Sequence, residues 1–471
     1  MGGPVGDSPR SGLTSDRSPP GDGAAAGQDS EPGKLSLAQA TALVVGNIVG
    51  TGVFLLPASL SAYGTVSLLA MVLVTVGAVA LAVVFGRLGA RIPSAGGPYA
   101  YARDAFGEFT GFWTAWSFWL TAWIGNAAIV VVWVNYVNYF LHWDSAGGQI
   151  AIALVGLWLP ALINLSGVRN IGTFALVTTV LKFIPLVFVG VVGLFFVQSA
   201  NFGPFNATGG NWAAALSTAG ALALFIYSGV ESGTIVAEKV RDPRRNIGRA
   251  SVYGVLICAA MYLLSTVAVF GTVPYERLPH STAPFADAIN NMFGGGVGGG
   301  IMAACAIVSG VGALSGWIML VAEMPLAAAR DGMFPKAFTR ETRRGAPWIG
   351  IVVGTALTTA AMLYNYLGTD TGFDAILLIA TFTTVIPYFF SACAQLYWLV
   401  TGARRIQGAR LGRDLAVCAV AILFAFWMTY GAGKDAIFIG FLMLLVGVPV
   451  YIWVKSRRGE YGPRETTPTT D

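Results

Sequence analysis

The sequence predicts an all-α integral membrane protein with 12 transmembrane helices, and three observations predict it. Of 471 residues, 55% are apolar and only 11% are charged, with a mean hydropathy of +0.68. A soluble chain of this length carries far more charge to stay solvated, so most of this surface must face lipid. Twelve stretches approach or exceed the roughly 20 apolar residues with which a helix crosses a bilayer core. The basic residues, finally, fall almost entirely on one side of those stretches.

In chain order, residues 1–34 are rich in Gly, Pro, Ser and Asp and read as a disordered tail, without the apolar core of a signal peptide. The predicted spans follow at 38–62, 66–89, 109–141, 149–167, 172–197, 212–238, 248–273, 297–328, 347–366 and 373–401, a ten-helix core within 35–401. Spans at 413–431 and 434–455 occupy a further unit, 402–456, and 457–471 form a second polar tail.

Orientation follows from Lys and Arg, which concentrate on the cytoplasmic side. Of the 28 basic residues, 25 fall on the side of the N-terminus, and only Arg277 and Lys434 fall opposite. The last, Lys182, sits within the fifth span. Both termini are therefore expected in the cytoplasm, with the chain in the plasma membrane. The net charge of +5 is a topology signal and not a nucleic-acid footprint. The histidines, His142 and His280, lie in predicted outer loops, and the four cysteines lie in apolar runs without metal or disulfide spacing. No metal, cofactor or catalytic set is expected, and a membrane-embedded enzyme is disfavoured.

Two spans are interrupted. The first reads Gly46-Asn47-Ile48-Val49-Gly50-Thr51-Gly52-Val53-Phe54. Glycine is about 1 kcal/mol worse than alanine in a helix, so this cluster favours a break, although small residues also serve close helix packing. The sixth reads Phe225-Ile226-Tyr227-Ser228-Gly229-Val230-Glu231-Ser232-Gly233. Spans one and six correspond if spans 1–5 and 6–10 are inverted repeats, and paired interruptions at matching positions point to a midplane binding site. Half-helix N-termini suit a carboxylate, and unwound carbonyls suit an ammonium. An α-amino acid carries both.

At these residues the chain resembles the amino acid–polyamine–organocation superfamily, and within it the bacterial arginine/agmatine antiporters and the basic amino acid/polyamine antiporter family. The likeness runs from Gly46–Ala58 through Gly97–Arg103, Trp123–Asn126, Gly229–Ser232, Asp242–Asn246, Ser315–Trp317 and Asp331–Pro335 to Val385–Tyr388. It implies a five-plus-five inverted-repeat, LeuT-like core with two extra C-terminal helices, often a homodimer, exchanging small amino acids or amines without ATP. By the same resemblance, Asn47, Ile48, Thr51, Gly52, Thr121, Ala122, Asn126, Phe225, Ser228, Trp317 and Ala380 match substrate-binding positions. Thr51 and Gly52 would hold the carboxylate, the carbonyls of Ile48, Phe225 and Ser228 the α-amino group, and Asn126 and Trp317 the distal end. Phe118, Glu231 and Tyr388 match gating positions, with Glu231 also implicated in proton sensing.

Other polar residues carry their own readings. Phe118, Ala122 and Asn126 are spaced to share one face of the third span, with Thr121 beside them. Trp317 could stack a cation, worth about 2 kcal/mol when desolvated. Lys182 reads as a structural or proton-coupling cation, because an intramembrane charge is costly and usually functional. Glu323 reads either as a second functional acid or as a residue near the cytoplasmic end of its helix.

The expectation is an antiporter of amino acids, with arginine, lysine, ornithine or their decarboxylated amines favoured. The departures at Thr51, Thr121, Ala122, Phe225, Ser228 and Ala380, and the added Lys182, leave open a neutral amino acid exchanger or proton-coupled uptake with Lys182 as the coupling cation.

Overall fold

A computed structural model describes residues 35–92, 97–166, 171–231, 234, 240–368, 372–402 and 408–459. Among them the regular structure is entirely helical apart from one isolated parallel bridge, Leu35 to Val240. Fourteen α-helices are described. In chain order α1 is Leu37–Ile48, α2 Leu56–Ser61, α3 Val66–Arg91, α4 Pro98–Phe106, α5 Glu108–Leu141, α6 Ala146–Leu165 and α7 Ile171–Val192. Then come α8 Trp212–Leu224, α9 Pro243–Thr272, α10 Pro284–Phe293, α11 Val297–Arg330, α12 Trp348–Leu367, α13 Gly372–Thr401 and α14 Gly408–Arg457.

Eight of these helices are long and apolar enough to cross a membrane. The apolar pieces Leu37–Ile48, Val180–Phe196 and Trp212–Tyr227 are shorter. The first predicted span, 38–62, is divided into α1, a 3₁₀ turn Thr51–Phe54 and α2. Residues 232–233 and 235–238 of the sixth predicted span lie outside the described residues, as do the tails 1–34 and 460–471.

Burial separates a centre from a rim. The most apolar window of α5 is 100% buried and that of the α14 stretch only 22%, so α5 is the axis and α14 the lipid-facing margin. Around α5 stand α4, α6, α11, α12 and α13. Close approach falls at small residues: a methyl on Gly86 of α3 would lie 2.3 Å from the Cα of Gly248 of α9. With no hydrophobic drive between helices in lipid, such close contact is what holds them together.

Continuous helix over the 47 residues Leu411–Arg457 would run about 70 Å, more than twice a bilayer core. It turns instead at Gly433, φ 80° and ψ 162°. Asp414, near its start, pairs with Arg87 at the end of α3 at 2.6 Å, and Lys455, near its end, pairs with Glu108 at the start of α5 at 2.6 Å. The end of α3 and the start of α5 lie either side of short α4, so α14 begins and finishes at one end of the molecule. It is a hairpin of two antiparallel arms.

The same end gathers further charge. Arg103 of α4 pairs with Asp331, just past α11, at 2.6 Å, and Tyr99 donates to the same carboxylate at 2.9 Å. Burial first, and then the Asp331 charge, push the Tyr99 phenol above its usual range, which keeps it a donor.

Candidate functional site

The site begins where two helices stop. α1 ends at Ile48, after which Val49 and Gly50 are extended, with ψ of 91° and 172°. α8 ends at Leu224 and passes through a 3₁₀ turn, Phe225–Tyr227, into Ser228 at ψ 130° and Gly229 at φ 107°. The two interruptions touch backbone to backbone: a Cβ on Gly229 would lie 2.9 Å from the Asn47 carbonyl oxygen and 3.3 Å from the Ile48 amide. Glycine serves here twice, for its positive φ and for this approach.

A helix end leaves its last carbonyls without intrahelical donors. Those of Gly46 and Ile48, and that of Val49 just beyond, accept from side chains elsewhere, and Ile48 also accepts from the Gly50 amide at 2.8 Å. Lys182 of α7, 4% exposed, donates its ammonium to the Val49 carbonyl at 2.9 Å and to that of Gly46 at 3.4 Å. Tyr262 of α9 donates to the Ile48 carbonyl at 3.2 Å. A cation suits the negative pole of a helix. Glu231 is buried and accepts from the Tyr388 hydroxyl at 2.9 Å and from the Gly229 amide at 3.2 Å. The second break is thereby tied to α13.

Between the breaks lies a small cavity of about 20 Å³, room for about one water. Its wall is Ile48, Gly50, Gly52 and Val53 of the first break, Phe225, Ile226 and Ser228 of the second, Thr121, Gly125 and Ile129 of α5, and Trp317 of α11. Among the described residues no carboxylate lines it. The Phe225 ring is seated between two glycines: a Cβ on Gly52 would come within 2.8 Å of it and one on Gly125 within 3.2 Å.

A second, larger space of about 1270 Å³ lies beside α1 and beyond the second break. It is bounded by α1, by Lys182 and its neighbours on α7, by Tyr253 and Ile257 of α9, by Gly229 and Glu231, and by Gly312 to Leu320 of α11. Trp317 belongs to both walls and so stands where cavity and groove meet.

The sequence-derived site residues distribute between these spaces. Ile48, Gly52, Thr121, Phe225, Ser228 and Trp317 line the cavity; Asn47, Lys182 and Glu231 line the groove. Thr51 is buried beside the cavity, with its hydroxyl unpartnered, as is that of Ser228. Ala122, Asn126, Ala380, Phe118 and Tyr388 are buried but stand outside the cavity wall. The face α5 turns inward is Thr121-Gly125-Ile129, adjacent to the expected Phe118-Ala122-Asn126 face. Glu323 is exposed.

Residues the sequence did not single out stand behind Thr121, outside the cavity wall. The Thr121 hydroxyl lies 2.8 Å from that of Thr383 and 3.1 Å from the Ser117 carbonyl. Thr383 and Thr384 each reach the Ala380 carbonyl, at 3.0 and 2.7 Å. Each hydroxyl has one proton, and carbonyls of α13 take those of Thr383 and Thr384. Thr121 can give its own to the Ser117 carbonyl or to Thr383, which leaves its oxygen able to accept from a ligand in the cavity.

Residues 35–455 match the family described as amino acid permease. The chain belongs to that family. It is accordingly a membrane transporter and not an enzyme. Among curated proteins, the permease is 31% identical over 456 residues to a putative arginine/ornithine antiporter of Bacillus subtilis (strain 168), covering 88% of this chain and 96% of that one. It is 29% identical over 432 residues to the putrescine transporter PotE of Escherichia coli (strain K12), covering 90% and 97%. A cadaverine/lysine antiporter of the same strain is 29% identical over 436 residues, covering 89% and 94%.

Proposed function

We propose that this permease exchanges cationic amino acids, or the amines left by their decarboxylation, across the plasma membrane by alternating access. Its twelve spans would form a five-plus-five inverted repeat with two added helices, and both termini would face the cytoplasm. The observation that carries the reading is the meeting of two broken helices at Asn47 and Gly229, beside a small cavity with unpartnered Thr51 and Ser228 hydroxyls.

Each pole of the substrate then has a partner. The α-carboxylate lies against the Thr51 and Gly52 amides and the Thr51 hydroxyl, at the open start of a 3₁₀ turn. The α-ammonium turns to the carbonyls of Ile48 and Phe225 and to Ser228. A distal ammonium or guanidinium extends to the Trp317 face and to the accepting oxygen of Thr121. Because no carboxylate is among the described residues of the wall, cation recognition rests on the ring quadrupole and on neutral oxygens. Phe225, seated against Gly52 and Gly125, closes over the substrate, and the groove behind Trp317 is the cytoplasmic route.

The basic amino acids and diamines in the relatives' names support the cationic side of this reading. Its test is uptake of labelled arginine and putrescine into proteoliposomes preloaded with unlabelled substrate. Saturable uptake stimulated by internal substrate is expected; linear, unstimulated flux would reject it.

The placement of Lys182 favours a second reading, proton-coupled uptake, in which loss of its proton releases the Gly46 and Val49 carbonyls. Uptake into empty vesicles driven by a pH gradient alone would distinguish it from exchange.

A further inference from the structure

The buried side of α6 is a single apolar stripe, Ala153, Leu157, Pro160 and Ala161, that ends on a polar residue, Asn164, fully buried. A buried carboxamide without partners is costly. Asn164 spends its hydrogen bonds on one residue of α11: its amide donates to the Ser315 carbonyl at 2.9 Å, and its oxygen accepts from the Ser315 hydroxyl at 3.2 Å. Two bonds to one residue fix that residue's orientation as well as its distance, which a single bond or an apolar contact does not.

Ser315 occupies a decisive place. Gly316 follows it, exposed in the groove wall with nothing within 4 Å of where a Cβ would stand. Then comes Trp317, which lines both cavity and groove. Open space beside Gly316 leaves this turn without packing on its groove side, so the bonds from α6 supply restraint that neighbours on that side do not. We propose that Asn164 is a positioning residue: it holds the Ser315–Trp317 turn of α11 and, through it, the Trp317 indole where substrate cavity and groove meet. The inference rests on the exchange reading above and adds a specificity determinant on a helix that contributes nothing to the cavity wall.

A double-mutant cycle tests it, since residues acting through one another give non-additive effects. Half-saturation and maximal rate of arginine exchange are measured for Asn164→Ala, Trp317→Ala and the pair. Asn164→Ala is expected to raise the half-saturation concentration about ten-fold, or about 1.4 kcal/mol, with little change in maximal rate. In the Trp317→Ala background it should add less than about two-fold. Equal factors in both backgrounds would overturn the inference, because a purely structural contribution adds. Ser315→Ala, nearly isosteric, removes one of the two bonds and should give a smaller rise that also vanishes with Trp317→Ala.

A transport-independent arm separates this inference from the functional reading. Gly316→Cys, with Cys305 and Cys393 replaced by alanine, is labelled by a thiol reagent in membranes, with and without Asn164→Ala. A labelling rate changed several-fold is expected, and an unchanged rate would overturn the positioning role even if the wild type proved to exchange nothing.

Discussion

Trp317 stands in the wall of both the cavity and the groove, and no carboxylate is among the described residues of the cavity wall. If the indole supplies most of the attraction for a distal cation, Trp317→Ala should weaken arginine, ornithine or putrescine by about 30-fold, the equivalent of roughly 2 kcal/mol. Alanine, with nothing to stack, should bind within about three-fold of wild type. Equal loss for both, measured by competition binding, would reject the stacking role. Gly229→Ala forces a Cβ at φ 107° to within 2.9 Å of the Asn47 carbonyl. A cost of at least about 1–3 kcal/mol is expected from the backbone alone, seen as a lower melting temperature together with loss of substrate binding.

At this scale the sequence showed the interruptions but not their partners. Glycines and an acid inside apolar runs are visible as exceptions to a simple pattern. Tyr262 is not, because it is one more aromatic in an apolar span and its carbonyl partner lies 214 residues away. The α5 residues in the cavity wall, Thr121, Gly125 and Ile129, lie one residue, about 100° of rotation, from Phe118, Ala122 and Asn126, and Gly125 and Ile129 carry no polar mark. Thr383 and Thr384 were legible as hydroxyls in an apolar run, but their consequence for Thr121 needed the distances between them.

α14 illustrates what element-scale reading can do. Two predicted spans separated by Ala432-Gly433 fall on one helical element that folds back at Gly433, with φ 80°. Nothing lies within 4 Å of where a Cβ there would be, so Gly433→Ala meets only the left-handed backbone penalty. It should destabilise by about 1–2 kcal/mol, measured by thermal unfolding in detergent, while transport of the folded fraction is unchanged. A drop in substrate affinity would mean that the hairpin does more than close the rim. The ion pairs that tie its ends, Lys455–Glu108 and Arg87–Asp414, could not be read from the sequence, because register between distant helices is set by packing.

Over the whole molecule, composition and the spacing of apolar runs gave the helical membrane class, because lipid leaves few ways to satisfy a backbone. The breaks gave the place of the site. Lys182 links α7 to the end of α1, so Lys182→Ala should alter the dependence of transport on pH. An unchanged pH profile in a reconstituted assay would retire it as a coupling group and leave it a structural clamp.

The central claim is that the main-chain poles of two interrupted helices bind a small zwitterion or diamine and release it only in exchange for another. Counterflow in proteoliposomes, with the twenty amino acids, agmatine and putrescine each loaded inside against labelled external arginine, addresses it most directly. Transient accumulation of label is expected with cationic amino acids or diamines inside, and none with acidic ones. Failure of every internal basic amino acid or amine to drive accumulation would contradict the account.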